Sequence, residues 1–264
     1  MKFKYTDYHV HTKWSSDIQE NGPVFEDYIK IAEENEINIC FLEHYELYNI
    51  ERDKTNPFYN GKIDDYLEEI DQLKADYKFI IGGLEVEYYR DREIGLMEFM
   101  DDYGKELDFI GGTVHEWIYN YPITSREKLV QLLEKVPMKQ VIADYFETNK
   151  MMIESKIFNN ICHIDTIFRY INENDIEPLD DCNVSEDRVL SLGRLCIKNK
   201  IRIEYNLSGT RFPINRPFPS KEVAEQLKSE HAKFFVGSDS HSLEYFQKTI
   251  PRVKIAHDFL GLID

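Results

Sequence analysis

Histidines and carboxylates recur at one kind of place in the sequence, the end of a short apolar run. Six of the eight histidines lie there. The residues at these ends are His9, His11, His44, Glu85, His115, His163, Asp239 and His241. If they converge, such side chains are costly to bury without a cation that neutralises and coordinates them. Mixed imidazole and carboxylate ligands suit Zn, Fe or Mn, so the pattern predicts a transition-metal site.

The apolar runs alternate with amphipathic helical patterns along the chain. Seven runs have the length of strands: Phe3–Val10, Ile37–Leu42, Phe79–Leu84, Phe109–Val114, Ile157–Ile164, Ile201–Leu207 and Lys233–Val236. Ser125, Ser185 and Ser220 precede helical patterns as N-cap residues. This alternation predicts an α/β fold with a parallel sheet and helical crossovers. Functional groups collect at the carboxyl ends of parallel strands. Residues 86–106 show no clear pattern.

Composition excludes several classes of protein. The 264 residues are 42% hydrophobic, which excludes a disordered chain, and the formal charge is 32 − 49 = −17. This acidity argues against nucleic acid or an anionic membrane as a bulk partner. No apolar run reaches the roughly 18 residues that span a bilayer. The four cysteines form no C-x-x-C pair and no signal peptide is evident, so we expect a reducing, cytoplasmic location and one domain over residues 1–264.

The run-end residues belong to motifs that resemble the polymerase and histidinol phosphatase (PHP) family of metallophosphoesterases. The motifs are D-Y-H-V-H-T at 7–12, E-H at 43–44, G-L-E at 83–85, V-H at 114–115, C-H-I-D at 162–165 and G-S-D-S-H at 237–241. Within the family, H-I-D-T-I-F-R-Y and N-L-S-G-T-R resemble the histidinol-phosphate phosphatases. The resemblance implies a single distorted seven-stranded (β/α) TIM-like barrel, with up to three metal ions at the carboxyl ends of its strands.

The resemblance also implies how the ligands divide among three ions. One ion would be held by His9, His11, Glu85 and Asp239, a second by Glu85, His115 and His163, and a third by Asp17, His44 and His241. Glu85 would bridge two ions, and Glu85, Asp239 and His241 are the predicted catalytic residues. Glu43 departs from the family pattern, which usually has Asp before this histidine. Without the resemblance, Asp17 is equally well explained as a surface acid.

Two arginines are candidates to bind a phosphate, because a guanidinium can hold two phosphate oxygens at once. They are Arg169 and Arg211. The alternative for Arg169 is a surface ion pair, and the alternative for Arg211 is a structural role. The aromatic residues Tyr88, Tyr89, Trp117 and Tyr119 could line a substrate ring or simply pack, and Glu87 and Glu116 could contact an ammonium group or face solvent. Ser208, Ser238 and Ser240 lack the context of a nucleophile and are interpreted as turn residues.

The predicted activity is that of a metal-dependent phosphomonoesterase. Two ions about 3.5–4 Å apart can lower the pKa of a bridging water, which then attacks phosphorus as hydroxide. We expect L-histidinol phosphate as the substrate, hydrolysed to L-histidinol and phosphate. The alternatives are another small phosphate ester, a nuclease-like phosphodiester, and a metal-binding module without catalysis. The lack of basic stripes disfavours the nuclease.

Overall fold

A computed structural model describes residues 1–118, 121–170 and 186–262. Seven strands form one sheet in which every neighbouring pair is parallel, in the order β1-β2-β3-β4-β5-β6-β7. The strands are β1 (Tyr5–Val10), β2 (Ile37–Tyr45), β3 (Ile80–Glu87), β4 (Phe109–Thr113), β5 (Asn160–Ile161), β6 (Arg202–Asn206) and β7 (Phe234–Gly237). Because sequence order equals spatial order, the sheet can curl toward its own first strand.

Contacts between the first and last strands draw the sheet into a nearly closed barrel. Val10 bridges Ser240 in parallel, and the backbone N–H of His11 donates to the Ser240 carbonyl at 2.9 Å. The prediction of a seven-stranded (β/α) TIM-like barrel is confirmed. The carboxyl ends of all seven strands consequently open at one mouth.

Helices surround the barrel and cover its outer face. They are α1 (Phe25–Glu34), α2 (Leu47–Ile50), α3 (Ile63–Asp76), α4 (Glu93–Tyr103), α5 (Arg126–Leu133), α6 (Met138–Ser155), α7 (Glu186–Asn199), α8 (Lys221–Ser229) and α9 (Leu243–Leu260). Ser125 and Ser220 cap α5 and α8, as predicted, while the predicted cap at Ser185 lies outside the described residues. None of the described helices has the length and apolar character needed to cross a membrane.

The apolar core has two parts. The larger lies between the helices and the outer face of the sheet, and the smaller fills the barrel interior. The interior cluster comprises Tyr8, Cys40, Leu42, Phe109, Cys162 and Phe235. The Arg202 guanidinium stacks over the rings of Tyr8, Phe109 and Phe235 at 5.0–5.8 Å. Side chains thus fill the barrel below the mouth, as in other α/β barrels.

Three strands, β2, β3 and β5, each end three residues away from the predicted end of their run. β3 continues past Leu84 to Glu87, because Val86 and Glu87 pair with β4. β2 continues three residues past Leu42, because Glu43, His44 and Tyr45 pair with β3 in register. β5 is only two residues long, because the N–H of His163 donates to the Glu204 carboxylate instead of a strand carbonyl. The unassigned stretch 86–106 contains the end of β3 and the helix α4.

Candidate metal centre

Glu85 lies at the middle of a cluster of imidazoles at the barrel mouth. Its side chain is 1% exposed. Oε2 lies 3.2 Å from His9 Nε2, 3.2 Å from His44 Nε2 and 3.9 Å from His11 Nε2. Oε1 lies 2.8 Å from His163 Nε2 and 3.4 Å from His115 Nε2. One carboxylate therefore reaches five histidines that come from four different strand ends.

The other predicted ligands adjoin this cluster on the side of β7. Asp239 Oδ1 lies 3.5 Å from His11 Nε2 and 3.4 Å from His241 Nδ1. Asp17 Oδ2 lies 3.0 Å from His241 Nε2, and its other oxygen lies 3.8 Å from His44 Nδ1. Asp17, which has the weakest support in sequence, is thus beside two predicted ligands. The structure brings all nine predicted ligands to one place.

The donor atoms fit divalent metal ions. Three-residue groups whose ligand atoms lie within 4.8 Å of one another include His9, His11 and Glu85; His44, Glu85 and His115; and His11, His44 and His241. His11 Nε2 and Glu85 Oε1 are buried, and neither makes a hydrogen bond of acceptable angle to the residues that the structure describes, although Oε1 lies 2.8 Å from His163 Nε2. Buried polar atoms are normally satisfied, and ions among these groups would satisfy both atoms.

The electrostatics of the cluster follow from its crowded charges. Burial raises the pKa of Glu85, but the neighbouring His115, His9 and His163 outweigh burial and hold it well below its usual range. Burial and the charges of His241 and His44 lower the pKa of His11. Burial also lowers the pKa of His44, but Asp17 and Glu85 raise it to about 9. Glu85 is therefore an anionic donor, and a metal ion must displace a proton from His44.

Two further buried carboxylates, Glu87 and Glu43, hold predicted ligands in place through hydrogen bonds. Glu87 accepts the backbone N–H of His115 at 2.8 Å and 2.9 Å, and one oxygen lies 3.2 Å from His115 Nδ1. Glu43 accepts the Ser15 hydroxyl at 2.7 Å, and that hydroxyl contacts His11 Nδ1 at 2.8 Å. Glu43 also accepts the backbone N–H of Thr12. Glu43 is accommodated by hydrogen bonds from two neighbours, Thr12 and Ser15. Neither Glu43 nor Glu87 is exposed to solvent.

Asp239 has an unusual backbone conformation for a residue with a side chain. Its φ is 57°, in the left-handed region, which Asp tolerates better than most residues. Its N–H donates to the His9 carbonyl at 2.8 Å, and its Oδ2 accepts the Ser208 hydroxyl at 2.9 Å. Residues in such conformations concentrate at functional sites. Ser208 thus supports a predicted ligand, while Ser238 and Ser240 hydrogen-bond to each other.

Both candidate arginines line the cavity at the mouth. This cavity has a volume of about 330 Å³. Its lining residues are Asp17, His44, His115, Thr124, Arg169, Arg211, Phe212, Asp239 and His241. Arg169 is 8% exposed, hydrogen-bonds to Thr166 Oγ1 and stacks over Phe212 at 4.5 Å. It is therefore buried and not on the surface, where its alternative interpretation as a surface ion pair would place it. Arg211 donates to the Asp239 carbonyl at 3.2 Å and stacks over Tyr245 at 4.1 Å.

The aromatic candidates lie beside a different cavity. Tyr88, Tyr89 and Trp117 line it together with Glu116, and its volume is about 220 Å³. Among the described residues, this cavity shares no lining residue with the cavity that contains the arginines. Tyr119 lies outside the described residues.

The fold and the site together define a class, a (β/α) barrel with a cluster of metal-binding side chains at its mouth. Residues 7–208 match the model of the PHP domain family, and the chain belongs to this family. A search of the curated proteins gave no match. Among solved structures, the candidate histidinol phosphatase HisK of Listeria monocytogenes is 20% identical, with a TM-score of 0.77, covering 91% of this chain and 96% of its own. The histidinol phosphate phosphatase HisK of Lactococcus lactis, complexed with Zn, L-histidinol and phosphate, is 21% identical, with a TM-score of 0.73, covering 96% and 94%. These likenesses show the shared fold.

Proposed function

We propose that the chain is a metal-dependent phosphomonoesterase that hydrolyses L-histidinol phosphate, with residues 1–264 forming one catalytic domain. The observation that carries the proposal is one cavity lined by two arginines and by five of the nine candidate metal ligands, Asp17, His44, His115, Asp239 and His241. The other four candidates, His9, His11, Glu85 and His163, lie directly against this set. Metal ligands alone fit many activities. A metal cluster next to two guanidinium groups fits a substrate that carries a dianionic phosphate.

Each proposed ligand has a role that its position supports. His9, His11, Glu85 and Asp239 would hold one ion, Glu85, His115 and His163 a second, and Asp17, His44 and His241 a third. Glu85 supports a bridging role because its two oxygens face different histidines, with Oε1 toward His163 and Oε2 toward His9. Bound Zn, Fe or Mn would activate water for attack on phosphorus and neutralise phosphate charge, which a chain of charge −17 would otherwise repel.

The arginines would bind and orient the phosphoryl group. Arg169 is held by Thr166 and by the ring of Phe212, so little side-chain freedom remains to be lost when it binds phosphate. Arg211 is held by the Asp239 carbonyl and the ring of Tyr245. Donors that are fixed before the reaction stabilise charge that develops in the transition state without a cost of reorganisation.

The choice of substrate rests on the family and on its structural neighbours. The Lactococcus lactis protein was crystallised with L-histidinol and phosphate, the two products of the proposed reaction. A different small phosphate ester is the second candidate, since the cavity of about 330 Å³ would accept other compact monoesters. A nuclease-like diesterase is disfavoured by the acidic net charge of −17.

The test is a phosphate-release assay over L-histidinol phosphate, sugar phosphates, nucleotides and a phosphodiester. We expect the highest kcat/KM with L-histidinol phosphate and little cleavage of the diester. Replacing Glu85 by Gln should remove most activity, while the matched replacement of exposed Glu225 by Gln should not. A preference for a sugar phosphate would support the proposed phosphatase activity but contradict L-histidinol phosphate as the substrate. Efficient cleavage of the diester with no monoester activity would reject both.

A further inference from the structure

Glu204 is a fully buried carboxylate in the middle of β6, and both of its oxygens have partners at the metal cluster. Oε1 lies 2.7 Å from His9 Nδ1. Oε2 accepts the backbone N–H of His163 at 2.8 Å. One side chain therefore joins the imidazole of one proposed ligand to the backbone of another, across three strands of the barrel.

The contact with Glu204 fixes which nitrogen of His9 faces the cluster. His9 Nδ1 is directed to Glu204, and Nε2 lies 3.2 Å from Glu85 Oε2. When Nδ1 donates its hydrogen to a carboxylate, Nε2 is left as the lone-pair donor for a metal ion. The carboxylate also makes the imidazole more basic and a better ligand.

The chain leaves space for this pair at one position. Gly237 pairs with Asn206 at the end of β7, and a Cβ there would lie 2.0 Å from Glu204 Oε1 and 2.5 Å from His9 Cβ. Neither separation is sterically possible without displacement of the pair. Only glycine therefore fits at position 237 while His9 and Glu204 keep their contact.

We propose that Glu204 is a positioning residue of the metal centre. Its carboxylate holds His9 with Nε2 toward the ion, and it holds the backbone of His163 through the N–H of that residue. This inference rests on the proposed function, because it assumes that the cluster binds metal. It adds a residue that binds neither metal nor substrate, and it assigns Gly237 the task of leaving room for the pair.

Replacement of Glu204 by Gln keeps the shape and changes the hydrogen bonding. An amide has one accepting oxygen, so its NH₂ group must face either His9 Nδ1 or the N–H of His163. Facing His9, the amide favours the opposite tautomer, which places a hydrogen on Nε2 and prevents coordination. If the NH₂ group faces His163 instead, two N–H donors point at each other and the hydrogen bond to the His163 backbone is lost. Zn affinity, measured by competition with a chromophoric chelator, should fall about 10- to 100-fold, and Gly237→Ala should weaken Zn binding in the same direction.

Two controls separate the role of Glu204 from general damage and from the proposed function. Glu225→Gln, on the exposed face of α8, should leave Zn affinity unchanged. Wild-type Zn affinity in a folded Glu204→Gln variant would overturn the positioning role of Glu204 but not the proposed function. A wild-type chain that binds no divalent ion would overturn the proposed function as well.

A spectroscopic measurement on the unaltered protein keeps the test independent of variant folding. The ¹⁵N resonances of the Zn-loaded, histidine-labelled chain should show His9 with a hydrogen on Nδ1 and Zn on Nε2. Coordination through Nδ1 would contradict the inference, because Nδ1 would then be unable to contact Glu204.

Discussion

Replacement of Arg211 by Ala separates a phosphate-binding role from a structural one. Among the residues that the structure describes, the guanidinium donates one hydrogen bond, to the Asp239 carbonyl at 3.2 Å, and it stacks over the ring of Tyr245 at 4.1 Å. A net hydrogen bond contributes about 0.5–1.5 kcal/mol and an exposed cation–π contact about 0.5–1 kcal/mol. The variant should therefore lose about 1–2.5 kcal/mol of unfolding free energy.

The expected kinetic loss is larger than the loss of stability. Removal of one donor to developing transition-state charge costs about 2.7–4 kcal/mol, a factor of about 10²–10³ in kcat/KM. Arg211→Lys should recover only part of this, because an ammonium restores charge but not the two-pronged geometry. Metal content should stay normal, since arginine is not a ligand.

The assay is the initial rate of phosphate release from L-histidinol phosphate, measured beside metal analysis and chemical denaturation. Arg194→Ala is a suitable control, because Arg194 makes a surface pair with Glu230 at 2.7 Å. We expect the control to keep wild-type kcat/KM. An Arg211→Ala variant with wild-type kinetics and lower stability would show that Arg211 is structural and that the phosphate assignment is wrong.

Three further predictions follow from the site and the core. Against the lowering effect of burial, neighbouring carboxylates raise the pKa of His44 to about 9 and also raise the pKa values of His9 and His115, so protons must leave as metal binds. Apparent Zn affinity should therefore increase between pH 6 and 9 by about tenfold per pH unit for each proton released. Calorimetry showing no pH dependence would contradict this. Tyr66→Phe removes a buried hydroxyl that donates to a strand carbonyl at 2.8 Å, and urea denaturation should show a loss of about 1–3 kcal/mol, whereas an unchanged midpoint would refute the contribution. Burial raises the pKa of the thiols of Cys40, Cys162 and Cys196. In a Cys182→Ser variant, Ellman's reagent at pH 8 should therefore react with these thiols only after unfolding. Rapid reaction of the folded variant would contradict this.

The barrel could be predicted from the sequence because its signals are local. Six of the seven apolar runs end in, or are followed within three residues by, a histidine or carboxylate. Parallel strands bring their carboxyl ends together whatever the details of the loops. The ends of β2, β3 and β5 could not be predicted. A charged residue such as Glu43 is typical of the end of a strand. Here the strand continues through it, because its backbone pairs with β3 and its carboxylate accepts hydrogen bonds from Thr12 and Ser15.

Residues whose partners lie on distant strands escaped the sequence analysis. Glu204 lies inside the apolar run 201–207, where an isolated acid carries no sign of its partners. Those partners, His9 and His163, are 195 and 41 residues away and meet Glu204 only after the barrel closes. The enclosed position of Arg169 likewise depends on Phe212, which a loop brings from beyond β6.

The most direct test of the account is phosphate release from L-histidinol phosphate as metal is returned to the stripped chain. Protein freed of metal by a chelator should be inactive, and activity should increase as Mn, Zn or Fe binds, up to three ions per chain by elemental analysis. Full activity in demonstrably metal-free protein would contradict the central claim that metal ions at this barrel mouth hydrolyse a phosphate monoester.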